Sequence, residues 1–300
     1  MAKKRDVVVA VVIAASFLVV FVFFGMMFLG LLAEGGDLGL SGLGGNVGVV
    51  EMYGVITEES GRPVIRQIEQ WAENSSIRAI VVHLDTPGGG VAISQEICDA
   101  IKRARDEKPV VAAMASVAAS GGYYIACAAD RVIANPGTVT GSIGVIFQYH
   151  TFNDLMDKVG IGTETVKSGE LKDVGSYSKP MTKKEELMLR SVVMDSYEQF
   201  VAAIAEGRGM NPEEIYPLAD GSIFTGAQAF NLGLVDTLGG LKEAVDLAAE
   251  LAEIEGEAKM VRPYKKKRVS IFDLMGNLLK NVNSNVENQL SGPKLLYLYR

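Results

Sequence analysis

The chain has few of the residues that build metal centres and disulfide frameworks. It contains two cysteines, Cys98 and Cys127, and two histidines, His83 and His150, among 300 residues. Two cysteines cannot form a disulfide framework or a four-cysteine zinc site, and two histidines exclude a multi-histidine metal centre. Both cysteines lie in apolar helical patterns, which predicts buried, unreactive thiols.

Basic clusters are also scarce. The formal net charge is −7 at pH 7, and runs of three or more basic residues occur only at 3–5 and 265–268. Nucleic-acid binding needs clustered lysine and arginine facing the phosphates, so the composition argues against nucleic acid as a partner. The hydrophobic content of 48% excludes disorder for most of the chain and is sufficient for a good-sized core.

A long uncharged stretch stands near the N-terminus. Residues 7–32 carry no charged side chain and exceed the ~20 residues that a helix needs to cross a bilayer. A cleaved signal peptide has a shorter apolar core and a small-residue cleavage site, which this stretch lacks, so we expect an uncleaved transmembrane anchor. The basic residues within 1–6 predict a cytoplasmic N-terminus, which places the rest of the chain on the outer side of the cell membrane.

A flexible linker and one folded domain are predicted after the anchor. Residues 33–46 are rich in glycine and form a flexible linker, the folded domain spans 47–255, and a tail covers 256–300. Apolar β-type runs, such as the one at 131–134, alternate with helical patterns, such as the one at 91–105, and do not alternate in polarity, which indicates an α/β domain with parallel strands buried on both faces. The apolar end of the tail could pack on an assembly, enter a groove or stay mobile.

A serine among small residues is the first candidate for a catalytic group. Ser120 lies in the sequence Ala-Ala-Ser-Gly-Gly-Tyr-Tyr at 118–124, between a predicted strand and a short apolar helix. The free amides and the dipole of a helix N-terminus stabilise a serine alkoxide or the oxyanion of an acyl intermediate. A crossover that needs small residues only for packing is an equally good interpretation of this motif alone.

A glycine loop is the second candidate. The sequence Asp-Thr-Pro-Gly-Gly-Gly at 85–90 follows a predicted strand and precedes a predicted helix. Glycines let the backbone approach a ligand closely and present amides to a carbonyl, which suits an oxyanion hole or a docked extended peptide. The Gly-Lys-Ser/Thr ending of a phosphate-binding loop is absent. A plain strand-to-helix turn stays open as the alternative.

A nucleophilic serine also needs a base. His83 lies in a predicted buried strand and His150 at the end of another, and neither has a carboxylate at a spacing that would orient it. We therefore expect both histidines to be structural. A lysine is the other possibility, but with its ordinary pKa it is only ~0.04% neutral at pH 7, so desolvation would have to lower that pKa.

Four motifs together resemble the signal peptide peptidase A family over about 47–251. They occur in the family's order at 85–90, 118–124, 140–145 and 167–173. The resemblance implies a caseinolytic-protease and crotonase-like α/β domain of ββα units behind one N-terminal transmembrane helix. It implies a serine endopeptidase that uses a Ser-Lys dyad and needs no metal and no cofactor.

The resemblance also assigns the site residues. Ser120 matches the family's nucleophile, and Lys172, the second lysine of Lys-Ser-Gly-x-x-Lys-Asp, matches the general base. Lys167 is the competing lysine, although it continues a predicted strand at 163–166. The remaining residues that the resemblance implies are a serine that hydrogen-bonds the lysine and two oxyanion amides: Ser142, Gly89 and Gly121.

Assembly and substrate follow from the same resemblance. A single-domain chain corresponds to half of the tandem members, so its dyad would be shared between neighbouring protomers of a homo-oligomer. The resemblance implies an octameric ring at the membrane. The implied substrates are cleaved signal peptides or other apolar membrane-derived segments. Alternatives are a general envelope-protein protease, a non-catalytic ring scaffold, and a crotonase-like acyl-CoA enzyme, which the outer location disfavours.

Overall fold

A mostly parallel sheet forms the centre of the fold. The computed structural model describes residues 45–263 and 294–298. The strands are β1 (Val47–Tyr53), β2 (Ala79–Thr86), β3 (Gly88–Gly90), β4 (Val110–Ala119), β5 (Arg131–Ala134), β6 (Val139–Gly141), β7 (Ile146–Gln148), β8 (Ile223–Thr225), β9 (Thr237–Leu238), β10 (Met260–Val261) and β11 (Lys294–Leu298). The helices are α1 (Glu58–Glu73), α2 (Val91–Arg105), α3 (Gly121–Ala126), α4 (Asn153–Lys158), α5 (Lys183–Arg208), α6 (Pro212–Ile215), α7 (Gly226–Asn231) and α8 (Leu241–Leu251).

The strand order places three chain turns at one edge of the sheet. The main sheet runs β10-β1-β2-β4-β5-β9 with parallel pairing throughout, and β6 pairs with the end of β4 and with β8. The long strand β4 pairs with β5 through 111–114 and with β6 through 117–119. The carboxyl ends of β2, β4 and β6 are therefore neighbours. A second, antiparallel sheet has the order β3-β11-β7.

The main sheet is buried on both faces. On β2, Ile80 and Val82 join the larger core under α1, α2, α3 and α5, whereas Val81 joins a smaller core under α8. Successive residues of a strand point to opposite faces, so a strand covered on both sides reads as an unbroken apolar run. This arrangement confirms the predicted α/β class with a largely parallel sheet.

Helix α5 begins and ends at recognisable signals. The Thr182 side chain accepts a hydrogen bond from the Glu185 amide, and the Glu185 carboxylate accepts one from the Thr182 amide, which together form a capping box. The helix ends at Gly209, whose φ of 62° lies in the left-handed region that glycine enters without a Cβ penalty. Because of this cap, the start of α5 is a fixed point beside the loop that precedes it.

The predicted strand at 163–166 is wrong. Residues 161–167 have no regular secondary structure, and Val166 is fully exposed. Apolar β-type residues form a strand only where a neighbouring strand accepts their hydrogen bonds, and none of the strands in the described part of the chain pairs with this stretch.

The predicted anchor at 7–32 and the basic residues within 1–6 lie outside the described residues, as does most of the predicted linker at 33–46. Within 45–263 and 294–298, no helix is both long and apolar enough to cross a bilayer.

Candidate functional site

Three turns predicted from the sequence meet at the carboxyl edge of the main sheet. Thr86 at the end of β2 is paired in register with Ala118, and Ala119 at the end of β4 is paired with Gly141. The glycines at 88–90 come two residues after Thr86, Ser120 comes directly after Ala119, and Ser142 comes directly after Gly141. In open parallel sheets the carboxyl ends of the strands are where ligands bind.

Ser120 occupies a strained turn between β4 and α3. Its φ of 53° and ψ of −117° are unusual for a residue with a side chain, and the residue is 1% exposed. The Ser120 amide donates to the Gly141 carbonyl at 2.8 Å, and the Ser120 carbonyl accepts from the Tyr124 amide at 2.9 Å. Strain of this kind persists only where surrounding contacts impose it, and it concentrates at functional sites.

The helix that follows Ser120 requires glycine at its start. A Cβ on Gly122 would lie 2.8 Å from the Thr86 side chain and 3.1 Å from the Thr86 carbonyl oxygen. Gly121 is the first residue of α3, so its amide has no acceptor inside the helix. The Gly121 amide therefore stands next to Ser120 without an intrahelical partner, as an oxyanion donor would.

In the glycine loop, the backbone amide of Gly89 faces away from Ile56, the residue that lies beside the loop. The Ile56 amide donates to the Gly88 carbonyl, and the Gly90 amide donates to the Ile56 carbonyl, both at 2.9 Å. Because backbone groups of successive residues in a strand point to opposite sides, the amide and carbonyl of Gly89 face away from Ile56. A Cβ on Gly89 would lie 2.1 Å from the Ile56 oxygen, so no residue with a side chain fits there.

Two polar residues that the sequence analysis missed hold this loop. The Asp85 carboxylate accepts the Val117 amide at 3.0 Å, and the Thr86 hydroxyl accepts the Gly88 amide at 3.1 Å. Asp85 lies at the irregularity in register between β2 and β4, where the ladder leaves an amide without a backbone acceptor. The turn sequence Thr-Pro-Gly at 86–88 was the sequence signal for the Thr86 bond, whereas no local pattern indicated the bond of Asp85.

Ser142 lies in a turn where two successive residues have positive φ. Gly141 and Ser142 have φ of 79° and 49°, and the Ser142 amide donates to the Ser222 carbonyl at 2.7 Å. A Cβ on Gly141 would lie 2.6 Å from the Phe224 ring, which is why the turn contains glycine there. Ser142 is half-buried beside Ser120, because β4 and β6 are paired up to the residues before them.

The two candidate lysines differ in their partners. The Lys167 ammonium donates to the Asp173 carboxylate at 2.7 Å and to the Glu170 carbonyl at 3.0 Å. Lys172 lies in an exposed turn, where its amide donates to the Gly169 carbonyl at 3.1 Å, and its ammonium forms no ion pair with the described residues. An ammonium held by a carboxylate is a poor base, so this geometry favours Lys172 over Lys167.

An ion-pair network joins the Lys172 turn to the start of α5. Lys179 pairs with Asp173 at 3.5 Å and also with Glu185, whose carboxylate is almost fully buried in the capping box. Hydrogen bonding from Lys167 lowers the pKa of Asp173, and hydrogen bonding from Lys179 lowers the pKa of Glu185. Both carboxylates are therefore ionised at neutral pH and anchor the turn. The sequence analysis missed Lys179 and Glu185.

The described residues of one chain do not complete a dyad. The hydrogen bonds recorded within 45–263 include none between Ser120 and Lys172 and none between Ser142 and Lys172. The histidines do not replace the lysine. His83 Nδ1 is hydrogen-bonded to the Tyr53 hydroxyl at 2.7 Å, and burial lowers the pKa of His83. His150 is exposed.

No set of three His, Cys, Asp or Glu side chains within the described chain is grouped as metal ligands would be.

Comparison with known proteins gives two overlapping matches to family models. The model described as peptidase family S49 matches residues 102–255, and the model described as Clp protease matches residues 46–139. Together these matches cover the glycine loop, Ser120, Ser142 and Lys172.

Three relatives illustrate the range of similar proteins. A protein of Synechocystis sp. named as a protease is 39% identical over 206 residues, which are 69% of this chain and 74% of that protein. A protein of Enterococcus faecium named as signal peptide peptidase SppA is 36% identical over 61% of this chain and 53% of its own length. The chloroplastic serine protease SPPA of Arabidopsis thaliana is 31% identical over 72% of this chain and 34% of its own length.

Proposed function

The chain belongs to peptidase family S49, and on that premise we propose that it is a serine endopeptidase with Ser120 as nucleophile and Lys172 as general base. The observation that carries the proposal is the convergence, at one sheet edge, of a strained buried serine and an outward-facing amide on a loop that admits no side chain. A nucleophile and an oxyanion donor are the two groups that acyl transfer requires at one carbonyl.

The proposed reaction has two halves. The neutral Lys172 amine takes the proton of the Ser120 hydroxyl as the oxygen attacks the peptide carbonyl. The amides of Gly89 and Gly121 stabilise the oxyanion, and protonated Lys172 gives its proton to the leaving amine. In the second half, the neutral Lys172 amine takes a proton from the attacking water, and the Ser120 oxygen leaves the acyl group with a proton from Lys172. Ser142, half-buried beside Ser120, would hydrogen-bond the lysine amine and hold it in line.

A second protomer would supply the lysine. Lys172 is exposed in the single chain, and Leu155, Val159 and Ile161 are exposed apolar residues earlier in the same region of the chain. Exposed apolar residues that lie together are typical of an interface. Burial against a neighbouring chain would exclude water from this surface, and exclusion of water favours the neutral form of an amine. The resemblance to the family implies a ring, with eight copies as the expected number.

The membrane location and the substrate belong to the same proposal. An uncharged stretch at 7–32 would anchor the chain with the catalytic domain on the outer side. The relative from Enterococcus faecium is named for signal peptides. We therefore propose cleaved signal peptides, or other apolar segments released into the membrane, as substrates of this chain.

Labelling with a serine-directed fluorophosphonate tests the nucleophile. The full chain, purified in detergent, is treated with the probe and mapped by mass spectrometry. We expect one adduct on Ser120, lost in Ser120→Ala and retained in Ser116→Ala, because Ser116 is an exposed serine on the same strand. An adduct on another serine, or peptide hydrolysis that survives Ser120→Ala, would contradict the assignment.

A further inference from the structure

The short helix α3 provides one of the two proposed oxyanion amides. It begins directly after Ser120, and its first residue is Gly121. With six residues, α3 has fewer than two turns, so its own hydrogen bonds stabilise it little and its position depends on packing against its neighbours. A small shift of α3 would move the Gly121 amide relative to a carbonyl bound at Ser120. The contacts that hold α3 therefore affect the geometry of the reaction.

One of these contacts is a buried hydrogen bond from a tyrosine. The Tyr123 side chain is fully buried, and its hydroxyl donates to the Leu234 carbonyl at 2.8 Å. Burial raises the pKa of Tyr123 well above its usual range, so the hydroxyl stays protonated and remains a donor. Tyr123 lies two residues after Gly121, in the first turn of α3. The bond therefore ties this first turn to a segment 111 residues later in the chain.

The segment that accepts this bond is held by a nearly buried arginine. Arg208, the last residue of α5, donates to the two carboxylate oxygens of Asp236 at 2.9 and 2.8 Å and to the Gly233 carbonyl at 3.1 Å. The Arg208 side chain is only 6% exposed. The Asp236 carboxylate also accepts the Val132 amide of β5 at 2.7 Å. Arg208 thus holds the chain on both sides of Leu234.

Helix α5 also packs directly against α3. A Cβ on Gly207 would lie 1.9 Å from the Cys127 carbonyl oxygen, so the two backbones meet at this point. Cys127 directly follows α3, and its amide donates to the Tyr123 carbonyl at 2.9 Å. The rings of Tyr124 and Phe200 pack edge to face with their centroids 5.1 Å apart. The second half of α5 is therefore a rigid support for α3.

At its start, α3 contacts the glycine loop, which provides the other proposed oxyanion amide. Gly122 lies so close to Thr86 that a Cβ there would be 2.8 Å from the Thr86 side chain. A short helix held at Gly122 alone could pivot about that contact and change the distance between the amides of Gly89 and Gly121. The hydrogen bond of Tyr123 opposes this movement, because it fixes a second point of the same helical turn.

We propose that Tyr123 and Arg208 are positioning residues for the reaction at Ser120. Arg208 fixes the turn that contains Leu234, and the Tyr123 hydroxyl transmits this constraint to α3 and to the Gly121 amide. The inference rests on the proposed function and adds to it two residues that act through α3 and not on the substrate. A buried hydroxyl and a buried ion pair add little net stability compared with apolar packing, so what these groups contribute is a fixed geometry.

Tyr123→Phe tests the hydroxyl while it keeps the ring. The full chain is purified in detergent, and sites are counted by labelling Ser120 to completion with the fluorophosphonate, so that kcat is expressed per reactive site. We expect kcat to fall about tenfold with KM nearly constant, because a displaced oxyanion amide affects the transition state. The Ki of a peptide aldehyde, which forms a tetrahedral adduct with the serine, should rise by about the same factor. Tyr216→Phe, which removes an exposed hydroxyl bond to Glu198, should change none of these values.

A double-mutant cycle tests whether Arg208 acts through Tyr123. Arg208→Lys keeps the positive charge but loses the two-pronged contact with Asp236, and we expect kcat per site to fall about threefold. In the Tyr123→Phe background the same change should have almost no further effect, because the link to α3 is already broken. Arg103→Lys, which changes an exposed ion pair with Glu69, is the matched control and should leave kcat unchanged in both backgrounds.

The outcomes separate this inference from the proposed function. If Ser120→Ala abolishes hydrolysis but Tyr123→Phe keeps the wild-type kcat and aldehyde Ki, the inference is wrong and the proposed function stands. Effects of Arg208→Lys and Tyr123→Phe that multiply independently would also overturn it. If hydrolysis survives Ser120→Ala, the proposed function fails and the inference fails with it. Unfolded chains do not react with the probe, so a loss of stability alone leaves kcat per site unchanged; if one variant yields no labelled sites, kcat of the other decides by the same criterion.

Discussion

The nucleophile region and the base region of this chain are built in opposite ways. Ser120 is 1% exposed and lies where paired strands and short backbone hydrogen bonds hold a strained turn. Lys172 lies in an exposed turn whose position depends on ion pairs between side chains, chiefly those of Asp173 and Lys179. Hydrogen-bonded sheet edges tolerate little displacement, whereas ion pairs formed by the flexible side chains of partly exposed lysines rearrange more easily.

This difference indicates what each region can do alone. The nucleophile region has its geometry within one chain, because the sheet supplies every neighbour that the serine turn requires. The base region lacks the burial that a lysine base needs, because Lys172 is exposed in the single chain. This contrast supports the proposal that another protomer completes the base region.

The largest expected effect comes from removing either reacting group. Ser120→Ala and Lys172→Ala should each reduce kcat by at least about 10³-fold, because one removes the attacking oxygen and the other its base. Lys167→Ala, which changes a lysine in the same loop, should retain most of the activity. Initial rates on a fluorogenic peptide measure all three variants.

Mixed assemblies sharpen this comparison. If the two regions come from neighbouring chains in a ring, random mixing of Ser120→Ala with Lys172→Ala subunits should restore about a quarter of the sites. No recovery after mixing under conditions of proven subunit exchange would show that one chain supplies both groups.

The next effect breaks the nucleophile region through its backbone. Gly89→Ala places a Cβ 2.1 Å from the Ile56 oxygen, so the loop has to move. The amide of residue 89 would then no longer point at the oxyanion. Loss of one oxyanion donor typically costs about 10²- to 10³-fold in kcat. Gly137→Ala is the matched control, since a Cβ at Gly137 meets no atom within 4 Å. A kcat for Gly89→Ala equal to that of the control would remove Gly89 from the site.

A smaller effect is expected from loosening the base region. Asp173→Asn removes the carboxylate shared by Lys167 and Lys179, so the Lys172 turn loses one of its ion-pair links to α5 and keeps the one between Glu170 and Lys184. We expect kcat to fall about tenfold while KM stays nearly constant, because positioning of the base affects the chemical step. Asp246→Asn, which breaks an exposed ion pair with Lys242 on α8, should leave both constants unchanged.

The smallest expected effect concerns the cysteines under the nucleophile region. Burial raises the pKa of the Cys98 thiol to about 12, and burial also raises the pKa of Cys127 well above its usual range. A raised pKa keeps the thiol protonated, so at pH 8 about one Cys98 in 10⁴ is a thiolate. Iodoacetamide at pH 8 should therefore leave the native chain unmodified and label both cysteines after denaturation. Rapid labelling of the native chain would show that this core opens.

Local patterns predicted most of the regular structure, for reasons that the fold makes visible. The helix predicted at 91–105 and the strand predicted at 131–134 have the bounds that the structure shows. Both follow from periodicity together with burial on known faces. The strand predicted at 163–166 failed because pairing is a long-range property, and β-type residues there face solvent instead of a neighbouring strand.

The candidate site could be predicted in its residue types but only partly in its geometry. Small residues around Ser120 and the run of glycines at 88–90 marked backbone positions with special demands. Nothing in the sequence indicated that Asp85 would accept the Val117 amide, because that amide is exposed to it only by the irregular pairing of β2 with β4. The hydrogen bond from Lys167 to Asp173 could not be predicted either, since it depends on how the loop at 167–173 folds back on itself.

By itself, the order of residues determined the α/β class, the sites of the sharp turns and the chemistry available at them, because these depend on side-chain type and on neighbours a few positions away. Only the tertiary structure decided which turns meet, which lysine is held by an acid and which strands pair with the segment at 294–298. Those outcomes depend on strand order and register, which bring together residues as distant as Gly89 and Tyr297.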